Sequence, residues 1–155
     1  MDPFEMTVAA DVGLPALILS PLTREDIDRI AEICQEADIQ EWIVIPRGYQ
    51  RSDAQFFVEQ VVAGGWSNAG ELTWAVREIS ACGSSSTLMG MVSVSLSGPE
   101  GARAGEIRYW LTAATQGRGT MTRAVAALID TAFDPDGPLN LSALRWRCAI
   151  HDSDR

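Results

Sequence analysis

The stretch from Leu72 to Leu111 constrains the fold more than any other part of the chain, because it holds three strand-forming runs in succession. Leu72 to Ile79 (LTWAVREI), Leu88 to Leu96 (LMGMVSVSL) and Glu106 to Leu111 (EIRYWL) are rich in β-branched and aromatic residues. Gly83-Ser84-Ser85-Ser86 breaks the first run from the second, and Gly98 to Gly101 breaks the second from the third. A meander of antiparallel hairpins is the economical reading. Beyond a loop of small residues, Thr120 to Phe133 carries Met121, Ala124, Val125, Leu128, Ile129 and Ala132 at helical spacing, and Asp134-Pro135-Asp136-Gly137 ends it.

Ahead of the meander, Ala16 to Leu22 (ALILSPL) reads as a first strand closed by Pro21. Thr23-Arg24-Glu25-Asp26 then gives a capping-box pattern with Thr23 as N-cap, and Ile27, Ile30, Ala31, Ile33 and Cys34 line one helical face. Residues 38 to 50 lack periodicity and read as a loop with at most a helical turn. A second helix follows Ser52, with Phe56, Phe57, Val61 and Val62 as its apolar contacts and Gly64-Gly65 as its end. Leu144 to Ile150 (LRWRCAI) alternates like one more strand. The element order is thus β-α-α-β-β-β-α-β, with residues 1–15 expected as a flexible leader and 16–155 as a single domain.

A chain of 155 residues fits one domain that buries roughly 70% of its unfolded surface. No apolar run reaches the roughly 20 residues that span a bilayer, so a membrane role is not expected. Twelve Lys+Arg against 21 Asp+Glu give a net charge of −9, which disfavours nucleic acid and anionic lipid and weakly favours a cationic acceptor. Cys34, Cys82 and Cys148 are odd in number and widely spaced; they suggest neither a disulfide framework nor a metal site, and read as small buried hydrophobes in a reducing cytoplasm. Trp66, Trp74 and Trp146 show no pattern beyond packing.

The segment that carries chemistry is Gln116-Gly117-Arg118-Gly119-Thr120-Met121, at the junction of the third strand and the following helix. First-turn N–H groups are unpaired and the helix dipole is positive there, so such a junction suits an anion. Gly117 and Gly119 let the backbone turn tightly with no side chain over the amides, and Arg118 adds positive charge. A plain glycine turn is the alternative. A Walker loop is excluded because no Gly-Lys-Ser/Thr follows, and a dinucleotide loop because the third glycine is absent and the preceding strands form hairpins.

What remains resembles the GNAT superfamily, whose signature Gln/Arg-x-x-Gly-x-Gly/Ala reads here Gln116-x-x-Gly119-x-Met121. Met121 departs from the usual Gly/Ala. The longer strings Gly105-Glu-Ile-Arg-Tyr-Trp-Leu111 and Gln116-Gly-Arg-Gly-Thr-Met-Thr-Arg-Ala124 look like the E-I-G-Y-W-L and R-G-R-G-Y-M-T-E-A of the RimJ/RimL-like branch. Leu19-Ser-Pro-Leu-Thr-Arg-Glu-Asp26 and Ile39-Gln-Glu-Trp42 are similar to that branch as well. The resemblance covers about Ala16 to Ile150. It implies an α/β (α+β) domain with a mixed, mostly antiparallel sheet flanked by helices, splayed beside the third meander strand to admit acetyl-CoA.

The resemblance further implies an N-acetyltransferase that passes acetyl from acetyl-CoA, without a metal, to a primary amine: a protein N-terminus or a small molecule. Gln116, Gly117, Arg118, Gly119, Thr120 and Met121 would hold the pyrophosphate, and Leu111 the pantetheine arm. Amine acetylation needs a neutral nucleophile, a stabilised oxyanion and a protonated leaving thiolate. Glu106 is the candidate base, its alternative being a surface carboxylate, and Tyr109 offers a hydroxyl or else packs in the core. Trp42, Arg47 and Tyr49 lie where the family builds its acceptor wall; a cap over the core is their alternative. His151 is a poor candidate base. Family members continue beyond Ile150 with a helix and two strands, so the domain is expected to be truncated at its C-terminus and to form a homodimer, swap an element or aggregate, with a catalytically impaired acyl-CoA-binding or interaction module as the alternative function.

Overall fold

The computed structural model describes residues 1–99 and 101–146. One six-stranded sheet runs through it, formed by β1 (Met6–Val8), β2 (Ala16–Pro21), β3 (Glu71–Ile79), β4 (Gly90–Ser97), β5 (Ala104–Leu111) and β6 (Ala143–Trp146), in that spatial order. The meander is antiparallel throughout, with Leu72 opposite Val94 and Val94 opposite Ile107. β6 joins β5 in parallel, with Glu106 opposite Arg145. A parallel neighbour requires a crossover, and helix α5 (Thr120–Phe133) supplies it. Residues 147–150 of the strand expected to end at Ile150, together with Cys148 and His151, lie outside the described residues.

The Thr23 capping box forms as its sequence suggests: the Thr23 N–H donates to Asp26 Oδ2 at 2.9 Å. The chain enters the helix through a 3₁₀ turn at Arg24–Asp26 before α1 (Ile27–Ile33). The helical turn allowed for in residues 38 to 50 is present as a further short helix, α2 (Ala37–Trp42), anchored by the buried Ile39, and a loop follows it. The next helix is continuous from Arg51 to Asn68, passing from α3 (Arg51–Phe56) through a π-helical stretch at Phe57–Val62 into α4 (Ala63–Asn68). Its start is capped by Gln50, whose N–H donates to Asp53 Oδ2 at 2.7 Å. Gly64 and Gly65 do not end it. Gly65 lies inside α4 because a Cβ there would run into the Glu71 carbonyl oxygen where β3 departs.

Both faces of the sheet are covered. Trp74, Val76, Val92, Val94 and Ile107 pack with Met121, Ala124 and Leu128 of α5 and with Trp66 of α4. On the other face Ala75 and Met91 pack with Ile27, Ile30 and Ile33 of α1 and with Ala54 and Val58. The packing expected of Trp66 and Trp74 is therefore seen, whereas Trp146 is 61% exposed. Cys34 is buried as expected; Cys82, in the β3–β4 connection, is exposed and hydrogen-bonded with the Ser80 and Ser84 hydroxyls.

Residues 1–15 are not a loose leader. Met6–Val8 pairs with Leu17–Leu19, the Phe4 ring meets Trp66 and Trp74 edge-on at 5.6 and 5.4 Å, and the Trp74 indole N–H donates to the Phe4 carbonyl at 2.9 Å. The Met1 ammonium donates to the Trp66 carbonyl at 2.9 Å. The physical reason is that two core tryptophans pack against an aromatic partner, and Phe4, just ahead of β1, supplies it.

One buried charge pair ties the helical layer to the sheet. Asp26, 5% exposed, accepts from Arg77 Nη2 at 2.5 Å, and Arg77 Nε also donates to Ser20 Oγ at 3.1 Å. Removing one partner strands the other charge in a site water barely reaches, at a cost of about 3 kcal/mol. Asp26→Ala should therefore lower the thermal midpoint by about 6–12 °C, read by calorimetry; a shift within 2 °C of wild type would remove the pair from the stability of the fold.

Candidate active site

The end of β5 is pinned before the chain turns. Thr112 is buried, its N–H donates to the Met89 carbonyl at 2.9 Å, and its hydroxyl lies 2.9 Å from that of Thr115 across a 3₁₀ turn at Ala113–Thr115. The Gln116 side-chain amide reaches back to the Leu111 carbonyl at 3.1 Å. The Ala113 N–H donates to Glu36 Oε2 at 3.2 Å, which joins the α1–α2 corner to the same turn. Gln116 thus fastens the loop to the strand it leaves.

Gly117 and Gly119 follow with φ of +75° and +73°, in the left-handed region that L side chains rarely adopt. Neither would meet an atom within 4 Å if it carried a Cβ, so the space in front of the turn is open. Gly119 is the N-cap of α5, and no side chain caps the helix. The first-turn amides of α5 therefore have no intrahelical acceptor, and Arg118 is exposed in the turn that precedes them. Unpaired first-turn donors of this kind suit an anion.

The remaining two loop residues are buried. Thr120 and Met121 are 4% and 7% exposed, and Met121 belongs to the core on the α5 side of the sheet. Its side chain points away from the open turn, so a large residue is accommodated where the family signature has Gly or Ala. Leu111 is half-buried against the same core.

Alternation along β5 separates the two residues read as catalytic. Glu106 lies on the face of α1 and α3, and Tyr109, three positions on, lies on the α5 face. Tyr109 is 38% exposed and stacked on Trp146 at 5.9 Å, so the core packing considered for it is not what the structure has. The Glu106 side chain is 24% exposed and accepts from Arg108 Nη2 at 3.1 Å. Arg108 Nη1 also stands 3.7 Å from Glu71 Oε2. The sequence reading did not pick out Arg108 or Glu71; the Glu-x-Arg spacing, which puts both side chains on one face of a strand, was the available signal.

Trp42 closes α2 and is 46% exposed, and Arg47 is exposed in the loop beyond it. Tyr49 is only 7% exposed and lies in the core between sheet and helices. Its hydroxyl is hydrogen-bonded with Cys34, and its backbone carbonyl accepts from Gln35 Nε2 at 2.8 Å. Of the three residues read as an acceptor wall, Trp42 and Arg47 present side chains to the surface and Tyr49 does not.

Comparison with known proteins agrees with this architecture. Residues 16–154 match the acetyltransferase (GNAT) domain family. Mycobacterium smegmatis RimJ in complex with CoA-disulfide is similar in structure at a TM-score of 0.76 and 14% identity, over 99% of this chain and 73% of that one. The microcin C7 self-immunity acetyltransferase MccE, in complex with acetyl-CoA and AMP, is similar at 0.72 and 19% identity, over 88% and 71%. The ribosomal L7/L12 α-N-protein acetyltransferase RimL, in complex with coenzyme A, is similar at 0.71 and 16% identity, over 88% and 72%. Comparison with curated proteins returned no match. The chain belongs to the GNAT acetyltransferase family, whose members are acetyl-CoA-dependent transferases. No helix among the described residues is long and apolar enough to cross a membrane.

The Cys34–Tyr49 contact has a consequence for alkaline stability. Burial, partly offset by the hydrogen bond with Tyr49, pushes the Cys34 thiol from 9.0 up to about 11, and burial raises the Tyr49 phenol also. A thiol that holds its proton more tightly when folded stabilises the fold fully below its unfolded pKa, and that stability is lost as pH rises through the folded value. The chain has no lysine to titrate in the same range. The thermal midpoint should therefore fall between pH 9 and 11, and fall less for Cys34→Ala; parallel curves for the two proteins would refute the assignment.

Proposed function

We propose that this domain is an N-acetyltransferase acting on a primary amine, either a protein N-terminus or a small molecule. The observation that carries the reading is the open, uncapped glycine turn at the start of α5, reached directly from the strand that bears Glu106. In this reading the backbone N–H groups at Gly117 to Met121 and the Arg118 guanidinium take the pyrophosphate of acetyl-CoA, and Leu111 borders its pantetheine arm. Gln116 keeps the turn in register with the strand. Acetyl-CoA supplies the acyl group as a thioester. Glu106 accepts the proton of the amine as it attacks, and the loss of thiolate restores the carbonyl.

The face on which Glu106 lies is also the face that α1 and α2 border, so the acceptor approaches from the side of Trp42 and Arg47. The RimL and RimJ likeness supports an amine of a protein N-terminus in particular, since RimL is named for α-N-acetylation of a ribosomal protein. A cytoplasmic setting belongs to the same proposal, in keeping with three cysteines that form no motif.

Two substitutions test the reading separately. Asp tolerates the left-handed backbone better than most residues, so Gly119→Asp should fold while putting a carboxylate among the phosphate donors. It should weaken CoA binding by at least about 2 kcal/mol, roughly thirtyfold in Kd by calorimetry; unchanged affinity would move the pyrophosphate elsewhere. Glu106→Gln keeps the shape of the side chain and removes its basic oxygen, so kcat/KM should fall roughly 10²–10⁴-fold at neutral pH with CoA binding intact. The deficit should shrink as pH approaches the pKa of the acceptor amine, since an amine already neutral needs no base. Wild-type rates from pH 6 to 9 would exclude Glu106 from proton transfer.

A further inference from the structure

The α1–α3 face of the sheet changes character along β5. Trp110 lies across from Met91 under the helical layer, among apolar neighbours. Two residues back, Arg108 lies across from Ser93, and two further back Glu106 lies between Ser95 of β4 and Arg145 of β6. The face thus becomes polar and charged one residue pair before the proposed base.

Arg108 is the centre of that charged end. Its guanidinium spans two carboxylates, Glu106 at 3.1 Å and Glu71 at 3.7 Å, and Ser95 Oγ donates to the same Glu71 oxygen at 3.2 Å. More than half of the Arg108 side chain, 57%, is exposed, so its remaining donors can reach a ligand. With Arg145 opposite Glu106, the patch holds two carboxylates and two guanidiniums and is charge-balanced, on a chain whose net charge is −9. A simple cation gains little there, because attraction to the carboxylates is offset by the guanidiniums. A molecule carrying an amine and a carboxylate close together can satisfy both partners of the Arg108–Glu106 pair, amine to carboxylate and carboxylate to the planar guanidinium fork.

We infer that Arg108 is a specificity-determining residue that selects acceptors bearing a carboxylate next to the reactive amine. The inference rests on the reading of Glu106 as the proton acceptor, since that role brings the amine within reach of Arg108. The shared chemistry occurs in a peptide whose second residue is acidic and in a free amino acid.

Two matched pairs of probes separate these sources and test the idea. One pair is Ala-Asp-Ala-Phe-amide against Ala-Asn-Ala-Phe-amide, and the other is alanine against alaninamide. In at least one pair the carboxylate-bearing probe should have a kcat/KM higher by about tenfold, expressed mainly in KM. Arg108→Gln should abolish that advantage, bringing the ratio of charged to neutral probe to about one, and Arg108→Lys should restore part of it. Glu71→Gln, which frees the guanidinium from one competitor, should enlarge the advantage. Equal rates on both members of both pairs, or an Arg108→Gln loss shared by charged and neutral probes, would overturn the inference. Calorimetry of the same four probes on the full chain saturated with CoA reads the preference without turnover. A tenfold tighter carboxylate-bearing probe there would uphold Arg108 even if no amine were acetylated, and equal or undetectable binding of all four would reject it.

Discussion

Five consecutive residues of β3, Leu72 to Val76, are buried, and successive strand residues point to opposite faces. Such a strand needs apolar cover on both sides, and the rest of the chain is arranged to give it. α5 and the Phe4–Trp66–Trp74 cluster cover one face; α1 and the first part of the long helix, through Ala54 and Val58, cover the other. The Asp26–Arg77 pair holds the second layer at a fixed place, because Arg77 belongs to β3 and Asp26 is at the same time the capping residue of α1. Cover on the α1 face gives way along β5, where polar residues replace apolar ones. The candidate site lies at that boundary, on a rigid strand, and therefore gains a precise position without being sealed inside the core.

Much of this was legible in the sequence. The meander follows from three strand-forming runs and two glycine-containing turns, and the α5 pattern from apolar residues at helical spacing. The Thr23 cap is local chemistry and so was readable. What sequence did not reveal depends on partners far away in the chain. The first residues look polar and loose until Trp74 and Trp66, some 60 to 70 positions on, are seen to need Phe4 and Met1. Gly64 and Gly65 read as a helix end, yet Gly65 answers to the approach of Glu71 rather than to any turn.

The site shows the same division. The positive φ of Gly117 and Gly119 and the absence of a side-chain cap on α5 are what a glycine-rich strand-to-helix junction implies. Met121 looked like a departure from the signature, but its side chain belongs to the core. Tyr49 illustrates the converse. Its residue type suited an acceptor wall, whereas the buried thiol of Cys34 offers its hydroxyl a partner inside the fold. Residue type alone could not decide between those places, because a tyrosine carries an apolar ring and one polar group to either.

The glycine turn is fixed from both of its ends by side chains that make no use of the open space between them. On the strand side Gln116 bonds the Leu111 carbonyl, and the Thr112–Thr115 turn is anchored to Met89. On the helix side Arg123, one turn into α5, donates to the Pro15 and Ala9 carbonyls at 2.8 and 2.6 Å, joining the helix to the β1–β2 connection. A backbone that must present several N–H groups to one anion cannot be left to a flexible loop, since each misdirected donor loses its share of the interaction. Placing the constraints on Gln116 and Arg123 leaves Gly117, Arg118 and Gly119 exposed yet oriented. The early strand hairpin thereby acquires a connection that its distance in sequence conceals: it braces the helix whose first turn is the proposed anion site.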